Sequence, residues 1–230
     1  RCFMAEQRLQ GRRILVTQSD DFMGPVLCEV LAEHGATLLA DRQALLDPAQ
    51  PSALVAAAVR VDILIANLAV PRLRTPAPDV SEREWRDTFA ALVDPLPRLC
   101  RAVLPQMIER KAGKIIVMGS ASALRGMSEA TTYSAARGAQ LAYAQTLGVE
   151  MAPHRVQVNA IAQNFVDNPT YFPPALQADP RFQERLRREV PLGRLVGARE
   201  DAEFVAYLCS EAANCFVGQV FPLCGGWVTR

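Results

Sequence analysis

Two hydrophobic periods alternate along this chain. Short runs of consecutive apolar residues, the mark of strands covered on both faces, occur at residues 13–17, 37–40, 62–66, 114–118, 156–161 and 219–223. Between them lie stretches with helical spacing, at residues 24–34, 53–60, 81–110, 130–151, 181–189 and 199–210. Gly35 is a stop signal for the first of these helices. Ser81, with Glu84 three residues on, predicts a capping box at the start of the third. Pro95, Pro97 and Pro105 predict kinks inside it. Residues 162–180, rich in proline and aromatics, predict a loop.

Strands that alternate with helices predict an α/β fold. The expected form is a single doubly wound, Rossmann-like domain, its parallel sheet flanked by helices on both faces. It spans residues 1–230, with 1–12 as an N-terminal extension and no repeat, linker or low-complexity tract. Ligands on such sheets bind beyond the carboxyl ends of the strands. Three segments stand at such ends: the turn after Thr17, Ser120, and the loop after Ile161.

Composition narrows the function classes. Half of the 230 residues are apolar, enough for a large core, and the net charge of +1 argues against nucleic acid and anionic membranes as partners. No apolar run approaches the roughly 18 residues of a membrane span. Residues 1–10 lack the apolar segment of a secretory signal, and either Met4 is the native start or residues upstream are trimmed. Cys2, Cys28, Cys100, Cys209, Cys215 and Cys224 are scattered without metal-ligand spacing. They read as reduced thiols in a cytoplasmic protein, with no metal site. His34 and His154 read as helix-end residues.

The candidate chemistry sits in Ser120, Tyr133 and Arg137. Tyr133 and Arg137 are four residues apart, hence on one helix face, and Ser120 closes a strand thirteen residues before Tyr133. A phenol beside a guanidinium and facing a hydroxyl can transfer a proton, and a permanent positive charge favours the phenolate. Read singly, Ser120 serves equally as a helix cap or turn residue, Tyr133 as an aromatic packing on the sheet and Arg137 as a partner of Glu129 or another surface acid. The turn after the first strand, Thr17-Gln18-Ser19-Asp20-Asp21-Phe22-Met23-Gly24, keeps only one glycine. A dinucleotide needs glycines there so that the backbone can approach its pyrophosphate. Two carboxylates would repel that phosphate and Phe22 would fill its place. Asp41 stands where an adenine-ribose acid would, and reads more simply as a solvated surface residue.

These residues resemble the short-chain dehydrogenase/reductase pattern, with losses. That pattern has Lys, which holds the nicotinamide ribose, where this chain has Arg137. It has Asn-Asn-Ala-Gly where this chain has Ala66-Asn67-Leu68-Ala69, and Pro-Gly at Ala162-Gln163. With Trp85 aligned to the family's Trp, its proton-relay Asn falls at Leu92. The chain more closely resembles the halohydrin (haloalcohol) dehalogenases, relatives of that family with a Ser-Tyr-Arg triad. Thr17, Phe22 and Gly24 match their T-x4-[FY]-x-G signature, and the likeness runs from Arg13 to Trp227.

The resemblance implies that vicinal halohydrins close to epoxides with release of halide and a proton, without NAD(P) or metal. It also implies the reverse opening of epoxides by small anions. Tyr133 would be the base, Arg137 would tune it, and Ser120 would hold the substrate oxygen. The halide would sit where a nicotinamide otherwise lies, in a nest of backbone N–H groups with Gln163, Asn164, Phe165 and Val166 as its lining and Phe22 opposite. Thr17, Tyr171 and Phe172 would shape the substrate pocket. Trp227 would reach a neighbouring active site or pack at an interface of a homotetramer built through the long helices. Two other readings compete: an NAD(P)-dependent reductase with degenerate motifs, and an inactive sensor or scaffold on the same fold.

Overall fold

The structure is a computed structural model that describes residues 8–71 and 73–229. Cys2, Met4 and the first seven residues of the expected extension lie outside the described residues. The remainder of that extension is built into the fold, because Leu9 is fully buried and its N–H donates to His34 O at 3.0 Å.

The sheet is made of β1 (Arg13–Val16), β2 (Thr37–Ala40), β3 (Ile63–Asn67), β4 (Gly113–Ser120), β5 (Val156–Gln163) and β6 (Val220–Leu223). Every pairing is parallel and the order is β2-β1-β3-β4-β5-β6. The helices are α1 (Gly24–Glu33), α2 (Gln50–Ala58), α3 (Glu82–Leu92), α4 (Pro95–Arg110), α5 (Thr131–Met151), α6 (Pro174–Gln177), α7 (Pro180–Glu189) and α8 (Ala198–Cys209). This is a single Rossmann-like α/β domain. The strands are continuous apolar runs because both sheet faces are covered. Val55, Leu99, Val103, Ala144 and Leu186 cover one face, from α2, α4, α5 and α7. Leu27, Leu31 and Val205 cover the other, from α1 and α8. The chain leaves β1 toward β2 on one side and returns to β3 on the other, so a crevice opens at the carboxyl ends of β1 and β3.

Two differences from the expected elements bear on the site. The helix expected over residues 81–110 is two helices. Pro95 stands at the start of α4, where its missing N–H costs nothing, and the chain breaks at Val93 and Asp94. Pro105 lies within α4, which continues through it. Ser81 caps α3 by accepting from Glu84 N at 3.0 Å, but the Glu84 carboxylate accepts from Thr75 Oγ1 rather than completing the box. Second, β5 runs on to Gln163, because Ala162 and Gln163 pair with Gly119 and Ser120 on one side and with Pro222 and Leu223 on the other. Gln163 is therefore a sheet residue beside Ser120, not a loop residue.

Gly24 survives in the first turn for a steric reason. A Cβ there would stand 2.4 Å from the backbone oxygen of Ser19. Gly24→Ala is expected to destabilise the fold by about 1–3 kcal/mol, the usual cost of overpacking. A urea denaturation curve checks this, and an unchanged midpoint would contradict it. Among the described residues, no helix is long and apolar enough to cross a membrane and no cluster could hold a metal ion.

Candidate active site

Ser120, Tyr133 and Arg137 are brought together at the carboxyl end of β4. Ser120 is its last residue, 7% exposed; Tyr133 and Arg137 project from the first turns of α5. Arg137 is fully buried, and its guanidinium spends four N–H bonds inside the protein. Nε donates to Tyr133 Oη at 3.1 Å, and Nη2 to Tyr171 Oη at 3.2 Å. Nη1 donates to Met118 O at 3.0 Å and to Gln140 Oε1 at 2.9 Å. Gln140 Nε2 in turn donates to Leu92 O at 2.6 Å, a carbonyl freed where α3 ends. The break before Pro95 is thus wired to the arginine, and the relay position at Leu92 contributes a main-chain oxygen instead of an amide side chain. Arg137 makes no pair with Glu129.

Burial works against the charge on Arg137, but the oxygens of Tyr133 and Tyr171 outweigh it and hold its pKa above the ordinary value. Burial raises the pKa of the Tyr171 phenol, with Tyr133 adding to the rise and Arg137 opposing it. Tyr171 stays protonated and donates to Val70 O at 2.9 Å. The two phenols therefore differ: Tyr171 uses its proton to hold the wall, whereas Tyr133 opens on the pocket.

That pocket, of about 160 Å³, is lined by Ser120, Ser122, Tyr133, Phe22, Tyr171 and Phe172, with Gln163, Asn164, Val166, Gly119, Met127, Asn168 and Thr170 around them. Phe22 adopts φ +53° in the turn after β1, packs edge-on to Tyr171 at 5.3 Å and lies 5.5 Å from the Arg137 guanidinium. Its N–H donates to Thr170 Oγ1 at 2.8 Å, tying this turn to the loop after β5. That loop is shaped by Asn168, which accepts from Tyr171 N and donates to Val166 O, both at 2.8 Å. The Asn168-Pro169 pair is a turn signal that could have pointed to this anchor. Ser122 Oγ lies 3.0 Å from Ser120 Oγ, so the hydroxyl at the site is a linked pair. Ser122 N also donates to Ser120 Oγ at 3.2 Å, so Ser120 is a cap as well as a pocket residue.

Three expected site residues point elsewhere. Thr17 is fully buried and donates to Asn67 O at 3.0 Å, bracing β1 on β3. Phe165 turns away at φ +52° and packs between Phe172, at 5.8 Å, and Trp227, at 6.0 Å. Trp227 is 5% exposed in its own chain, under the Arg125 guanidinium, and does not project outward. The expected backbone nest is also largely spent. Asn164 N donates to Leu223 O, and Phe165 N to Asn164 Oδ1.

Beneath the pocket, Gln163 Nε2 donates to Asp201 Oδ2 on α8. Nothing in the sequence links these residues, which are 38 positions apart. Asp201 is fully buried, and burial raises its carboxyl to about 8.

A family model described as Enoyl-(Acyl carrier protein) reductase matches residues 9–228. Dehydrogenase/reductase SDR family member 4 of Bos taurus is 29% identical over 254 residues, which span 98% of this chain and 90% of that protein. Among solved structures, one titled "Dehalogenation enzyme" has a TM-score of 0.91 at 31% identity, covering 96% of this chain and 100% of its own. A halohydrin dehalogenase bound to ethyl (2S)-oxiran-2-ylacetate has a TM-score of 0.88 at 30% identity, covering 95% of this chain and 98% of its own.

Proposed function

We propose that this chain, which belongs to the short-chain dehydrogenase/reductase family, works without a nucleotide, closing vicinal halohydrins to epoxides and opening epoxides with small anions. The observation that carries the reading is the arginine. A residue that holds a nicotinamide ribose must keep donors facing the cofactor. Arg137 is fully buried and turns its donors to Tyr133, Tyr171, Met118 and Gln140.

The turn after β1 does not fit a dinucleotide. Gln18, Ser19, Asp20 and Asp21 stand where such a turn needs glycines, and the Phe22 ring packs against Tyr171. Asn67 Nδ2 closes the turn further by donating to Gln18 O and Asp21 O, each at 3.0 Å. The reductase name of a sequence relative favours a second reading, a nucleotide-dependent reductase. The turn after β1, with Gly24 as its one glycine, speaks against that reading.

In the proposed reaction, Tyr133 takes the proton of the substrate hydroxyl, with Arg137 Nε steadying the phenolate oxygen. Ser120, backed by Ser122, orients the substrate oxygen. The alkoxide pair forms the new C–O bond on the neighbouring carbon as the carbon–halogen pair leaves with the halide. Phe22, Tyr171 and Phe172 exclude water, which strengthens these interactions. In reverse, protonated Tyr133 is the general acid. The same reading places the chain in a reducing cytoplasm as a homotetramer, its subunits meeting on the outer faces of α4 and α5, where Val149 is 69% exposed.

Incubation of a terminal epoxide with bromide and no nucleotide tests the proposal. Bromo-alcohol formed by the enzyme is expected. Carbonyl-dependent oxidation of NADPH, with no ring opening, would overturn it.

A further inference from the structure

The amides around the pocket are unequally committed. Asn168 is engaged at both ends, and Asn164 uses Oδ1 on Phe165 N. Gln163 differs. Its Nε2 is drawn down to Asp201, while its own Oε1 and the second oxygen of Asp201 are buried without a partner. Gln163 lies level with Ser120 in the adjacent strand and lines the pocket. Two facing side chains, each with one unpartnered oxygen, are one proton short of a closed pair.

We propose that Asp201 is a positioning residue that sets which end of the Gln163 amide meets the anion. When Asp201 carries a proton, its O–H donates to Gln163 Oε1 and closes the pair, and the second N–H of the amide is left for the anion. When Asp201 is ionised, Gln163 Oε1 loses that donor and is repelled by the carboxylate, so the amide turns its oxygen toward the anion, which repels it. The inference rests on the reading of this pocket as an anion site.

Among the described residues, the other charged groups of α1 and α8 are engaged with other partners, and Arg137 faces the pocket from the side of Tyr133 and Tyr171. Glu29 and Glu33 of α1, packed on α8, engage Arg199, and His34 engages Glu203. Glu200 is held by Arg194, and Glu211, after α8, by Arg12. Lys114 stands at the other end of β4, near Cys209 and Glu211. Burial raises the Asp201 carboxyl to about 8, so its proton is retained up to about that pH. The anion is therefore held below that pH and released above it.

The test is inhibition by sodium bromide of epoxide formation from a vicinal chloro-alcohol, measured from pH 6 to pH 10 in wild type, Asp201→Asn and Gln163→Leu. In wild type, the inhibition constant is expected to rise up to about tenfold per pH unit above the Asp201 titration. Asp201→Asn, whose amide donates to Gln163 Oε1 at every pH, is expected to keep the low-pH value throughout. Gln163→Leu is expected to show the weak value throughout. An Asp201→Asn profile that rises as in wild type would overturn the proposal, as would a Gln163→Leu constant equal to wild type at low pH. Epoxide formation with no bromide inhibition at any pH would overturn the switch alone. Absence of turnover in wild type would overturn the dehalogenase reading beneath it.

Discussion

Replacing Tyr133 with Phe is expected to reduce dehalogenation by about 10²–10⁴-fold, the usual contribution of a positioned general base. The loss should fall on kcat, because the ring still lines the pocket and only the proton acceptor is gone. Tyr171 cannot substitute. Its phenol is protonated, engaged with Val70 O, and raised in pKa by burial. The variant also leaves Arg137 Nε without its acceptor in a buried place. That costs about 1–3 kcal/mol of stability, so the protein should still fold. Steady-state kinetics with a circular dichroism spectrum check both parts. A folded Tyr133→Phe with wild-type kcat would remove Tyr133 from the mechanism.

Arg137→Met should have the larger effect on the fold. The side chain fits the same volume but strips hydrogen bonds from Met118 O, Gln140 Oε1, Tyr133 and Tyr171. Buried acceptors left unpaired cost on the order of 3 kcal/mol or more in sum. For a chain of this size that corresponds to a melting temperature lower by roughly 6–12 °C. Arg137→Lys should recover little of either stability or activity. A single ammonium cannot serve the planar fork that reaches Tyr133, Tyr171, Met118 and Gln140 together. Thermal melts of the two variants decide this, and a Lys variant with wild-type stability and turnover would contradict it.

The layered fold was legible because its strands are continuous apolar runs and its helices keep their spacing. Tyr133 and Arg137 were legible for a local reason: four residues on a helix leave the two side chains no choice but to share a face. Boundaries that depend on partners were not. The last two residues of β5 exist because Gly119, Ser120, Pro222 and Leu223 offer pairing, which no local pattern encodes. The split of the long helix came from the same prolines that predicted kinks. Pro95 tolerates the start of a helix better than a bend, and Gln140 satisfies the carbonyl left over at Leu92.

Side-chain direction near strand ends was the other gap. Phe22 and Phe165 both sit at positive φ, which turns one into the crevice and the other away from it. Thr17 faces β3 rather than the pocket for a related reason: its hydroxyl finds Asn67 O first. The Gln163–Asp201 contact joins a strand end to a distant helix, so it becomes visible only once β5 and α8 are packed together.

The most direct test of the central claim is release of halide and proton from a vicinal bromo-alcohol by the purified protein in the absence of any nucleotide. Equal amounts of halide, proton and epoxide are expected. No release by folded protein from chloro- or bromo-alcohols, together with saturable NADPH binding, would contradict it and return the chain to the nucleotide-dependent reductases.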